Sequence, residues 1–271
     1  MLRPPVGGMP LVTRQRLVHD LRELGVEPGS TLLVHASLKS IGWVEGGPRA
    51  VISALRQVVG GSGNVVMPTG TEENSLTSRR HRARIAAMTP DQARRYRREM
   101  PPFDKNTTPS GMGMISEALR TADGAVRSDH PQSSFGAIGP DAGHLMADHQ
   151  LKCHLGEYSP LAKLYKIDAQ VLMIGVGYRA CTAFHLAEYR YRESPPSTEY
   201  SCAVIVNGLR QWIAYEDVVL DDEDFEEIGE TLNRDRGSFV KKGHVGEAES
   251  LLVPLVQTVD HAKGWMDQYR A

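Results

Sequence analysis

Leu17, Val18, Leu21 and Leu24 recur at the spacing of one helical face. Thr13 stands where an N-cap hydroxyl belongs and Gly25 where a helix stops, so the pattern predicts a helix over 13–24. The periodicity then changes. Thr31-Leu-Leu-Val-His35 and Val65-Val-Met67 are short unbroken apolar runs, as expected of strands buried on both faces. Residues 49–59 between them read as a helix, with Pro48 near its first position. Strand, helix and strand in that order predict a right-handed parallel unit. Residues 36–42 read as a polar turn and residues 60–64 as a tight glycine turn.

Beyond residue 72 the apolar pattern lapses. Residues 73–102 hold eight arginines, Arg79, Arg80, Arg82, Arg84, Arg94, Arg95, Arg97 and Arg98, among few large apolar side chains. They read as an exposed insertion or lid over one domain, 1–271, with a helix starting at Thr89-Pro90-Asp91. Its basic face is either plainly solvated or a grip on an anionic ligand. Residues 107–119 read as a loop feeding a helix, 127–135 as a short polar strand region and 159–165 as a short helix. Val171-Leu-Met-Ile174 is a further core strand. Residues 200–206 and 211–215 read as two strands joined at Asn207-Gly208, a strong hairpin signal. The end reads as a helix near 248–251, a short strand and a closing helix. Together these predict an α/β fold: a mixed, largely parallel central sheet flanked by helices, with an antiparallel hairpin towards the C-terminus.

Composition narrows the class. The 271 residues are 41% hydrophobic and 24% charged with a net charge of −2, which gives no electrostatic case for nucleic acid. No apolar run is long enough to span a bilayer, and the first residues lack a signal-peptide core, so the expectation is a cytoplasmic protein with no membrane partner. Cys153, Cys181 and Cys202 form no disulfide framework or zinc motif. His144, His149 and His154, five residues apart, suit no compact ligand set, so no metal is expected.

The strongest chemical signal is His185 with Glu188 three residues later, on a helix that follows Val171–Ile174 and the Gly175-Val-Gly177 turn. Residues three apart share a helical face. A carboxylate there fixes the imidazole tautomer and leaves the other nitrogen free to take a proton near neutral pH. A surface ion pair is the plainer alternative. Two more turns sit at predicted strand ends. Val34-His-Ala-Ser-Leu-Lys-Ser-Ile-Gly42 could aim backbone N–H groups and hydroxyls at phosphate, though it is neither a Walker loop nor a dinucleotide fingerprint. Met67-Pro-Thr-Gly-Thr71 offers hydroxyls where α/β folds place ligands, or is a simple turn. Residues 221–227 carry six carboxylates in seven positions, either a solvated helix start or a patch for a polycation.

Val34-His-Ala-Ser-Leu38, Gly46-Gly-Pro48, Met67-Pro-Thr69, Phe103-Asp104 before Thr108-Pro109, Met112-Gly113, Arg127-Ser-x-His-Pro131 and His185-Leu-Ala-Glu188 occur in this order. Together they resemble the aminoglycoside 3-N-acetyltransferase family, over about residues 11–225. The resemblance implies an antibiotic N-acetyltransferase-like fold, acetyl-coenzyme A as cosubstrate, an aminoglycoside amine as acceptor and a part in antibiotic resistance. It puts coenzyme contacts at Ser37, Leu38, Lys39, Ser40 and Ile41, and further ones at Met112, Gly113, His130 and Ser133. Carboxylates at Glu72, Asp104, Asp221, Asp224 and Glu226 would meet the polycationic acceptor.

The expected mechanism is direct attack of the amine in a ternary complex. His185 is the general base, and Glu188 or a carboxylate of 221–227 orients it. Thr71, Thr69 or a backbone N–H donates to the oxyanion. A thiol nucleophile at Cys181 would need Cys181 on the His185 helical face. Three other functions stand beside this one: the same transfer to a non-aminoglycoside amine, a non-catalytic small-molecule binder, and a cysteine hydrolase. The oligomeric state is left open, a homodimer included.

Overall fold

The computed structural model describes residues 11–71, 74–109, 111–235 and 237–270. A short strand β1 (Leu11–Val12) precedes helix α1 (Arg14–Glu23). The Thr13 hydroxyl accepts from the Arg16 N–H at 3.2 Å, and Leu17, Val18 and Leu21 are buried, as the periodicity predicts. Strand β2 (Thr31–Ala36) follows. The expected polar turn after it contains one tight helix, α2 (Leu38–Ile41), capped by the Ser37 hydroxyl. After β3 (Trp43–Val44), helix α3 (Gly47–Val59) returns the chain to β4 (Asn64–Pro68), which lies parallel to β2.

The arginine-rich segment holds two helices, α4 (Arg79–Ile85) and α5 (Pro90–Glu99). Thr89 and Gln92 close a capping box on α5, the start its sequence signals. Next come α6 (Gly113–Arg120), β5 (Val126–Arg127) and β6 (Phe135–Ile138). The strand expected over 127–135 is therefore two short strands around a loop. Helices α7 (Ala142–Met146) and α8 (Pro160–Lys166) lead to β7 (Gln170–Ile174), and a 3-10 turn at Tyr178–Ala180 leads to α9 (Phe184–Glu188). The hairpin β8 (Ser197–Val206) and β9 (Leu209–Val218) forms its own two-stranded ladder. Asn207 and Gly208 turn it with φ of 51° and 77°, the left-handed pair the dipeptide predicts. Helix α10 (Phe225–Asp235), strands β10 (Lys241–Val245) and β11 (Ala248–Pro254) and helix α11 (Leu255–Tyr269) complete the chain.

Among the described residues the central sheet has seven strands in the order β10-β11-β7-β2-β4-β6-β5. It is mixed, as expected, but parallel pairing is confined to β7-β2-β4 and the flanking pairs are antiparallel. Five of the seven strands nevertheless run in one direction, as the largely parallel sheet read from the sequence requires, and β6 and β11 return among them in the opposite sense. The helix expected at 248–251 is the start of β11. Its short Leu251-Leu-Val253 run carries no period long enough to separate strand from helix, and pairing with β7 decides it.

Alternation along the central strands sends side chains to two cores. Leu33, Val171 and Met173 join Phe184, Phe225 and Val259 on one face; Leu32, Val34, Leu172 and Ile174 join Leu17, Leu55 and Ile115 on the other. The first face carries α9, whose position over the carboxyl end of the sheet sets the site. No helix among the described residues is long and apolar enough to cross a membrane.

Candidate active site

The chain leaves β7 through Gly175, which has a φ of +63°. A Cβ there would lie 2.3 Å from that of Ser40, so only glycine lets β7 end against α2. The 3-10 turn then delivers α9, a helix of five residues. Phe184, Leu186 and Ala187 anchor it in the core. His185 stays at the surface of that core, its side chain 17% exposed and its ring 4.7 Å from that of Phe225.

His185 Nδ1 lies 2.7 Å from Glu188 Oε2, as the spacing predicts. Glu188 is buried, and its other oxygen accepts from Arg270 Nη1 at 2.7 Å and from the Asp221 N–H at 2.8 Å. A carboxylate ringed by donors makes Nδ1 the donating nitrogen and leaves Nε2 as the free base. Arg270 also grips Asp224 through two bonds and the Asp221 carbonyl at 2.8 Å. Burial opposes the charge on Arg270, but its bonds to Asp224 and Glu188 outweigh burial and raise its pKa. Sequence reasoning missed Arg270, which carries no local motif.

A cavity of about 610 Å³ opens in front of His185. Its wall includes Asp221, Asp222 and Glu223 on one side and Arg79 and Arg82 of α4 on another. Met112, Ser133, Gln132 and His154 line it further in, with Tyr200 of the hairpin. His154 Nδ1 donates to Asp217 Oδ2 at 2.6 Å, and Tyr189 donates to the same oxygen at 2.8 Å. Burial raises the Asp217 pKa, but these bonds outweigh it and hold the carboxyl below its ordinary value. Two of the histidines five residues apart, His149 and His154, are buried, and His130 packs tilted between their rings at 4.7 and 4.6 Å.

Of the residues expected at the site, His185, Asp221, Met112 and Ser133 line one cavity, with Glu188 buried behind His185. Gly113 begins α6 beside Met112. Ser37, Leu38, Lys39, Ser40 and Ile41 stand together at the carboxyl end of β2, next to Gly175. Ser37 Oγ there accepts from the Ser40 N–H and lies 2.9 Å from Ser40 Oγ, and Ile41 is buried.

Other expectations are corrected. Thr71 is 1% exposed and its hydroxyl donates to the Pro131 carbonyl, so it has no proton for an oxyanion. Thr69 is equally buried against Ser134. His130 is fully buried: Nε2 donates to the Leu151 carbonyl at 3.1 Å, and Nδ1 accepts from the Gln132 and Ser133 N–H groups. It shapes the loop that presents Ser133 and does not itself reach a ligand. Asp104 caps its own turn through Asn106, Glu226 accepts from the Arg179 N–H, and Asp224 is taken by Arg270. None of the three lines the cavity. Glu72 lies outside the described residues. Cys181 precedes α9, is fully buried, and burial pushes its thiol up to about 12, which removes the thiolate route. Among the described residues no cluster of three metal-ligating side chains occurs.

Sheet and site together define an α/β protein with a histidine–carboxylate pair over the carboxyl edge of its central strands. The sequence profile of the aminoglycoside 3-N-acetyltransferases matches residues 33–267, and the chain belongs to that family. The prophage-derived aminoglycoside N(3')-acetyltransferase-like protein YokD of Bacillus subtilis is 38% identical over 93% of this chain and 92% of its own. Its crystal structure superposes with a TM-score of 0.88, covering 96% of this chain and 95% of that one at 36% identity. Aminoglycoside N(3)-acetyltransferase VII of Streptomyces paromomycinus is 34% identical over 95% of this chain and 92% of its own. The structure of AAC-IIIb with CoASH matches with a TM-score of 0.81, at 28% identity over 96% of this chain and 97% of that one.

Proposed function

We propose that this protein transfers an acetyl group from acetyl-coenzyme A to an amine of an aminoglycoside, the 3-amino group, with His185 as general base. The observation that carries the reading is the His185–Glu188 pair facing a cavity walled by carboxylates. Family membership and the coenzyme-bound relative support the donor, and the names of the relatives support the acceptor.

Acetyl-coenzyme A supplies the acetyl group as a thioester. The residues that would hold it are Ser37, Leu38, Lys39 and Ser40 beside Gly175, Met112 and Ser133 at the cavity, and Gly113 next to Met112; Ile41, expected among them, is fully buried in the core and only closes α2. Their hydroxyls and small residues at the carboxyl edge of parallel strands suit a phosphate-bearing chain. The acceptor arrives as an ammonium ion, which cannot attack. His185 Nε2 takes its proton, Glu188 holds the ring by Nδ1 and steadies the imidazolium, and Arg270 fixes Glu188. The nitrogen then bonds to the acetyl carbon and the carbon–sulfur bond breaks; the proton on His185 passes to the departing thiolate, and the freed Nε2 takes the second proton from the acylated nitrogen and returns it to solvent.

The test is release of coenzyme A thiol across a panel of aminoglycosides and unrelated amines. Turnover that needs both substrates and acetylates the 3-amino group establishes the reading. Turnover only with other amines keeps the donor and changes the acceptor; coenzyme binding with no turnover makes the protein a binder.

A further inference from the structure

The carboxylates facing His185 already hold a cation. Arg79, the first residue of α4, donates from Nη1 to Asp222 Oδ1 at 2.6 Å and from Nη2 to Asp221 Oδ1 at 3.4 Å. All three side chains line the cavity that His185 lines. The acidic side of this contact is fixed: the Asp221 N–H is bound to Glu188 and its carbonyl to Arg270. The basic side is not fixed in the same way. The Arg79 side chain is 61% exposed, against 33% for Asp222, and it reaches in from a separate segment.

We propose that Arg79 is a specificity-determining residue: its guanidinium is an intramolecular stand-in for substrate ammonium, yielding Asp221 and Asp222 only to acceptors that present two neighbouring ammonium groups. This rests on the acetyltransferase reading above. An amine with one charge can replace one of the two guanidinium contacts and leaves the other in place. A diamine replaces both. Exposed ion pairs are weak, so a doubly charged acceptor displaces the guanidinium readily while a singly charged one competes poorly. The pocket thereby discriminates by number of charges as well as by shape. If Arg79 served instead as a latch holding α4 over the cavity, its loss would weaken binding of every acceptor.

The two roles move affinity in opposite directions. Arg79→Gln and Arg79→Lys are compared with the wild type by thiol release, using an aminoglycoside as substrate and cyclohexylamine as competitor. Arg79→Gln is expected to lower KM for the aminoglycoside about two- to fivefold, the scale of an exposed ion pair. It should lower the inhibition constant of cyclohexylamine by a larger factor, and Arg79→Lys, whose single ammonium keeps only one of the two contacts, should fall between the wild type and Arg79→Gln. A rise or no change in both constants for Arg79→Gln overturns the proposal, as does an equal shift in Arg79→Lys. Calorimetric titration with the same two amines gives the same comparison without turnover. An enzyme that binds them in the expected order but transfers no acetyl group would sink the acetyltransferase reading and leave the role of Arg79 standing.

Discussion

At the scale of single residues the site depends on which hydrogen bonds are already spent. His185 keeps one nitrogen free because the other is held by Glu188, and Glu188 is oriented because Arg270 and the Asp221 N–H hold its second oxygen. His185→Ala should lower kcat by about 10²–10⁴-fold, the usual cost of losing a general base, with little change in coenzyme affinity. Near-normal kcat at saturating substrates would rule His185 out as the base. Glu188→Gln keeps the shape but offers Nδ1 an amide that can donate as well as accept, so the wrong tautomer becomes accessible. We expect kcat to fall by about tenfold or more at unchanged KM, and saturating kinetics would show it. This pair was legible in the sequence because helical geometry alone puts residues three apart on one face. Thr71 and His130 were misread because their partners are the backbone carbonyls of Pro131 and Leu151, which no side-chain pattern records.

Elements were legible where their signals are local. The Thr13 cap, the capping box at Thr89 and the Asn207-Gly208 turn all stand where the sequence puts them. The first half of β11, the second strand from the sheet edge, was misread as a helix because its identity comes from pairing with β7 across the fold. The C-terminal helix carries the site's least legible contribution. Arg270, at the end of α11, ties that helix to α9 through Glu188 and to the start of α10 through Asp224. Arg270→Ala leaves Glu188, 1% exposed, with a buried oxygen short of its cation. Breaking such a pair costs about 3 kcal/mol, so the melting temperature should fall by several degrees, with a kcat loss smaller than that of His185→Ala. A variant with wild-type melting and kcat would show that α11 is a bystander to the site.

Across the whole molecule, buried histidines make stability sensitive to mild acid. Burial first, and the neighbouring His185 second, lower His35 to about 4, where its Nε2 has no partner among the described residues. Burial lowers His149 to about 4 and His130 well below the ordinary histidine range. Above pH 6.5 neither the native nor the unfolded chain protonates these rings. Between 6.5 and about 4 the unfolded chain takes up protons that the native chain refuses, so stability falls with pH across that window. A full shift from 6.5 to about 4 is worth on the order of 3 kcal/mol for each of His35 and His149. Asp217 acts lower down: its depressed pKa contributes stability above the ordinary carboxyl value of 3.8 that is lost only as the pH falls below it. The two windows therefore follow one another. Thermal unfolding should show the melting temperature dropping by roughly 10 °C from pH 7.5 to pH 5, before any carboxylate in the His154–Asp217 pair titrates. A flat profile over that interval would mean that these rings take up protons in the native state as readily as in the unfolded chain, so that burial does not hold them neutral.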